Sequence, residues 1–326
     1  MNAKRLMYLL LREAGIGVAL VLLCIFFAIA APQFASSLNL SNILTQISIN
    51  TVISIGMTFV ILLGGIDLSV GSVLALATIV AGLTITNPAY PVALAIFLAI
   101  VFSIIVGALC GLFNGFVSVH WKIHSFVVTL GMLNIARGAA LQVSHSRTIF
   151  MFPKVFNHVG TQTIFGIPVI FLLAFVLVIF GSFILSKSVF GRMIYAIGNN
   201  EEAVRLSGHN TSLYKIIAFT LCGATVGIAA IMYMMRLNIA SPILGVGFEL
   251  NAIAAVVIGG TSMMGGKGSL IGTFLGAGVM GVLNNGLLML GLGDFARQMV
   301  TGFIIVLAVV VDTYRAKFLV RFQEGK

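Results

Sequence analysis

Between Gly56 and Leu83 the chain reads GMTFVILLGGIDLSVGSVLALATIVAGL, 28 residues that carry one charged side chain, Asp67. A run this apolar cannot clothe a water-facing domain. It is also continuous rather than alternating, which argues against a strand of a transmembrane barrel. The rest of the chain repeats the pattern. Charged residues make up 8% of the 326, against about a quarter in soluble domains. The chain therefore reads as an all-α polytopic membrane protein, with one transmembrane domain over residues 1–326.

Ten apolar segments stand out, at about 14–31, 47–65, 69–86, 91–119, 125–142, 164–186, 214–235, 250–260, 268–290 and 297–313. A helix needs about 20 apolar residues to span a bilayer. The eighth segment is too short for that and predicts a re-entrant or broken helix, and the meeting of the second and third near residue 66 raises the same question for 47–86. The first segment ends in AIAAP, which mimics a cleavage site, but its length suits a first span. The expectation is about ten transmembrane or re-entrant helices.

Lysine and arginine set the orientation, because they collect on the cytoplasmic side. With the N-terminus inside and the segments alternating, Arg137, Arg147, Lys154, Arg236 and Arg297 fall outside or at segment ends, and the other thirteen of the 18 fall inside. Both termini are expected in the cytoplasm. The same scatter of cations between apolar segments explains the formal charge of +10 without a nucleic-acid partner; lipid is the expected surrounding.

Motifs for chemistry are absent. GGKGS, residues 265–269, lacks the glycine five residues before Gly-Lys and the hydroxyl after the lysine that a phosphate-binding loop requires. His120 and His124 share a helical face but no acid joins them, so no metal site is expected. Cys24, Cys110 and Cys222 lie singly in apolar segments. The 36 glycines read mostly as contacts that let helices approach in lipid. No nucleophile and base are paired, and the chain is not expected to be an enzyme.

Polar groups inside apolar segments should face the protein interior or a wet path. They are Asn50, Asp67, Asn114, Asn134, Glu249, Asn251, Asn284 and Asn285, the candidate translocation path. Asp67 has a second reading: it or Ser69 can cap the third helix, with Gly64 and Gly65 supplying the reversal. The longest hydrophilic stretch expected inside, about 187–213, contains NNEEAVRLSGHN. It reads as a short helix with Asn199 or Asn200 as cap, Glu201 and Glu202 in the first turn, Arg205 placed to pair with them, and Gly208 as stop.

Four blocks, GMTFVILLGGIDLSVGSVLAL, TLGMLNIARG, GRMIYAIGNNEEAVRLSGHN and FELNAIAAVVIGGTSMMGGKGSLIGTFLGAGVMGVLNNGLLMLG, resemble in order the permease subunits of ribose- and allose-type ABC sugar importers, from about residue 38 to 313. The resemblance implies a type II ABC importer-like permease fold and a homodimer. It also implies a periplasmic sugar-binding protein and a cytoplasmic ABC ATPase that holds ATP and Mg, with no cofactor in this chain. It marks Glu201, Glu202, Ala203, Ser207 and Gly208 as a coupling helix, beside Asn199 and Arg205 of the same stretch. The alternative is an ion-coupled secondary transporter of a small polar solute, working through its own carboxylates.

Overall fold

The computed structural model describes residues 3–324, and the side chains of residues 13–310. Each of the ten expected segments is a helix. They are α1 (Ala3–Ala30), α2 (Ser37–Leu62), α3 (Val70–Ile85), α4 (Val92–His120), α5 (Ser125–Val143), α7 (Val169–Lys187), α10 (Thr211–Leu237), α11 (Phe248–Ile258), α12 (Leu270–Met289) and α13 (Asp294–Glu324). Three short helices complete the set: α6 (Lys154–Thr161), α8 (Val189–Asn199) and α9 (Glu201–Leu206). Among the described residues seven helices are long and apolar enough to cross a membrane, while α3 and α11, of 16 and 11 residues, are shorter.

Helix α2 runs through the centre. Nearly every side chain from Ile47 to Leu62 is buried, against α7, α10, α11 and α12. It begins ten residues before the apolar pattern does. Ser36 caps it by accepting the N–H of Asn39 at 3.3 Å, and Asn39 and Asn285 of α12 exchange two amide hydrogen bonds of 2.9 Å. Those paired amides let a polar turn enter the core, because each donor and acceptor is matched.

Helices α4 and α10 pack through small residues. Ser103, Gly107, Gly111 and Gly115 repeat every fourth residue and so form one stripe on α4. A Cβ on Gly107 would strike the carbonyl of Gly223, and one on Gly223 the carbonyl of Gly107. Ser103 donates to the carbonyl of Gly227 at 2.8 Å. Dispersion over this close backbone contact, rather than a hydrophobic push that lipid does not supply, holds the pair.

The bundle has two ends. Helices α8 and α9 lie where α7 finishes and α10 begins. At the other end α6 packs on the last turns of α10, and two small antiparallel pairs form, β1 (Ile149–Phe150) with β4 (Ile239–Ala240) and β2 (Thr163–Ile164) with β3 (Ile167–Pro168). Between β4 and α11 the chain turns inward. Gly82 of α3 touches Ala240 and Ile149, and Gly71 touches Gly245. Eleven helical residues separate those glycines, so Gly245 lies about 16 Å deeper than the strand pair, half the thickness of a hydrocarbon core. Helix α11 starts at this mid-depth point and runs about the same distance to the α8–α9 end. The short eighth segment is thus a half-helix entered through the irregular stretch 241–247.

Candidate translocation path and coupling region

The reversal between α2 and α3 answers for Asp67. Asp67 is 2% exposed. Its Oδ1 accepts the N–H of Ser69 at 2.9 Å and the hydroxyl of Ser69 at 2.6 Å. Asn114 of α4 donates to Ser69 Oγ at 3.0 Å and lies 3.5 Å from Asp67 Oδ2. The capping expectation is corrected here. Ser69 occupies the cap position with no side-chain bond to α3, and Asp67, two residues earlier, reaches only the cap residue itself. The carboxylate closes a turn and pins it to α4. Asp67→Asn keeps an oxygen for Ser69 but turns an amide donor toward Asn114. Asp67→Ala leaves the buried N–H and hydroxyl of Ser69 without their acceptor, at about 1–3 kcal/mol each. Thermal melting of the purified protein is expected to rank wild type above Asn and Asn well above Ala.

The other path candidates divide. Asn114 and Asn285 are absorbed in buried pairs. Asn284 of α12 accepts from Thr301 of α13 at 3.3 Å. Asn50 and Asn251 are half-buried, with no side-chain hydrogen bond among the described residues. Asn134 departs from the expectation of an interior position: it is exposed on α5, bonded only to the carbonyl of Leu130, one turn back, at 3.2 Å. It shares that exposed face with Val127, Gly131, Gly138 and Gln142, and a Cβ on either glycine would meet nothing within 4 Å. The eight residues do not converge on one pocket. They scatter over α2, the turn between α2 and α3, α4, α5, α11 and α12.

Glu249 sits in the first turn of α11, accepting the N–H of Gly247 at 3.2 Å. A Cβ on Gly71 would come within 2.5 Å of Glu249 Oε2, so the carboxylate fills the space that the missing side chain leaves. The residue that pattern reading passed over is Arg137. Counted above only as a marker of sidedness, it is half-buried on α5 and donates through Nη1 to the carbonyls of Pro242 and Leu244 at 2.6 and 2.8 Å. A cation inside an apolar segment was the available signal.

At the far end the short helix forms as its residues suggest. Asn200 caps α9, its Oδ1 accepting the N–H of Ala203 at 3.0 Å. Gly208, at φ +84°, takes the left-handed conformation just past the stop. Asn199 instead ends α8. Arg205 grips Glu202 through two bonds, Nε at 3.0 Å and Nη2 at 2.6 Å. That grip draws the Glu202 carboxyl below its ordinary range and raises the Arg205 guanidinium. Glu201 pairs not along α9 but with Lys215 of α10, at 2.6 Å. Exposed pairs of this kind add little stability; their effect is to fix where the helix lies.

Helix α8 joins this unit to the bundle. Its apolar face buries Ile194 and Ile197, and Tyr195 donates to the carbonyl of Gly268 at 2.8 Å. Gly198 lies so close to α2 that a Cβ there would overlap the carbonyl of Leu62. That same carbonyl accepts the N–H of Gly266 at 2.9 Å. The end of α2, the end of α8 and the hairpin between α11 and α12 thus meet backbone to backbone.

A helical bundle with a half-helix opening at mid-depth, and a capped helix welded to one end, defines a polytopic permease. The chain belongs to the family described as branched-chain amino acid transport system / permease component, whose model matches residues 39–309. It is 38% identical to the ribose import permease of Haemophilus influenzae over 301 residues, covering 91% of this chain and 92% of that one. With the ribose import permease of Bacillus subtilis it shares 39% over 307 residues, 93% of each chain. With the D-allose transport system permease of Escherichia coli it shares 32% over 298 residues, 91% of this chain and 90% of the other. No solved structure matches the chain significantly.

Proposed function

We propose that this chain is the membrane permease subunit of an ATP-driven importer for a monosaccharide of the ribose, allose or arabinose class. It works in the bacterial inner membrane as one domain over residues 1–326, with both termini in the cytoplasm and a second copy of itself beside it. A separate cytoplasmic ATPase binds ATP and magnesium, and a separate periplasmic protein delivers the sugar. The observation that carries the reading is the capped α9 joined through α8 to the end of α2 and the α11–α12 hairpin. Such a unit transmits a push from outside the bilayer. Lys187, Arg192, Arg205 and Lys215 on and beside it support its cytoplasmic side.

The exposed face of α5 supports the second copy. Asn134 and Gln142 facing lipid are costly, and Gly131 and Gly138 on the same face leave room for a close neighbour. A path between two such faces has polar groups where solute passes. The ion-coupled alternative finds less support, because both of its carboxylates are engaged in holding local structure: Asp67 is bonded to Ser69, and Glu249 accepts from Gly247 and fills the space beside Gly71.

The test is uptake of labelled ribose, allose and arabinose by vesicles holding this chain with its candidate ATPase and binding protein. ATP-dependent accumulation of one of them is expected. Accumulation driven by a proton or sodium gradient without ATP would overturn the reading.

A further inference from the structure

We infer that Arg137 is a positioning residue for transport: it latches α5 to the mid-depth break at 241–247 and so holds the path closed. The inference rests on the functional reading above and goes beyond it.

Irregular backbone at membrane depth is stable only where its polar groups are satisfied. The break carries the carbonyls of Pro242 and Leu244 inward from the strand pair, between its end at Ala240 and the mid-depth point at Gly245. Among the described residues each has one donor, Arg137 Nη1. The charge makes these bonds stronger than neutral ones. They are also the hydrogen bonds that tie α5 to this stretch, since α5 otherwise packs on α3 and α4. Among the described residues Nε and Nη2 of the guanidinium have no protein acceptor. It therefore stabilises the break through one nitrogen and stays only half-buried.

Ser241, Pro242 and Gly245 of the segment are buried and Leu244 packs against the core, but two of its apolar side chains stand outside it. Ile243 is 68% exposed and Val246 75%, although both belong to a stretch that runs inward to mid-depth. Apolar side chains projecting there exclude water and polar solute from the space they occupy. Glu249 follows them in α11, accepting from Gly247 and wedged against Gly71, so the base of the stretch is fixed while its apolar tip depends on the latch. Moving α5 away from the segment, or removing the guanidinium, strips two carbonyls of their donors and lets the tip swing.

The test needs neither ATP nor the identity of the cargo. Val246→Cys is placed in the full chain with Cys24, Cys110 and Cys222 changed to alanine. Its labelling by a water-soluble maleimide, and the permeability of the same vesicles to erythritol, are compared with Arg137 intact, Arg137→Met and Arg137→Lys. Losing two charge-assisted bonds is expected to raise both rates about tenfold or more in the methionine variant. Lysine, which can donate to both carbonyls, should stay within about threefold of the intact protein. If the methionine variant does not insert, Arg137→Gln, with a shorter neutral donor, should show an intermediate rise in both rates. Rates equal to those of the intact protein in whichever of the two variants inserts, or lysine as leaky as methionine, overturn the latch. ATP-dependent uptake by the intact complex reports separately on the functional reading.

Discussion

Gly198→Ala is expected to leave the permease inserted and bound to its ATPase while reducing ATP-dependent uptake about tenfold or more. The added methyl group has no room, because its carbon would overlap the Leu62 carbonyl and lie 2.5 Å from Gly266 N. Backbone atoms cannot rotate away as a flexible side chain can, so α8 must lift from the end of α2. Overpacking of this kind costs about 1–3 kcal/mol, and although Leu62 and Ile194 belong to one apolar cluster, further clusters away from this contact hold the rest of the bundle together. The lift breaks the contact through which, on the proposed reading, displacement of α9 would reach α2 and the α11–α12 hairpin. Gly17→Ala, at a site on α1 where a Cβ meets nothing within 4 Å, is the control and should be silent. Uptake and ATPase co-purification are measured on the same preparations. Normal uptake by Gly198→Ala would show that the weld carries no motion.

The helices were legible because lipid demands long apolar runs, and such runs announce themselves. Their ends were not. Helix α2 starts at Ser37 rather than 47 because Asn39 is matched by Asn285, 246 residues away, and no local pattern encodes that partner. The eighth segment betrayed itself by being short, but the depth at which it opens depends on Gly71 meeting Gly245. The Gly198–Leu62 contact is between backbones and leaves no side-chain trace. Arg137 misled for a different reason. A count of cations treats each as a marker of sidedness, whereas this one bonds to carbonyls within the bundle. The candidate path was least legible: an amide in an apolar run looks the same whether it pairs internally, as Asn114 does, or faces outward, as Asn134 does.

Helix α9, proposed above as the coupling element, was the most legible part of the candidate site, since caps and stops are local chemistry, and it bears the second large prediction. Glu202→Lys should leave the bundle folded but sharply weaken ATPase association or uptake. The change removes both bonds that Arg205 makes and sets two cations three residues apart on one face, a destabilising spacing. It also puts positive charge at the N-terminal turn, where the helix dipole favours the acid it replaces. Gly208→Val acts by another route. Nothing lies near a Cβ there, so the penalty is backbone strain: a β-branched residue at φ +84° is a true outlier. The two variants disturb the same six-residue helix through charge and through conformation, so a shared defect points to its position rather than to either side chain alone. Co-purification with the ATPase, alongside uptake in vesicles, decides the matter. Normal assembly and normal uptake in both variants would return α9 to a solvated loop, because a lever that moves freely without consequence transmits nothing.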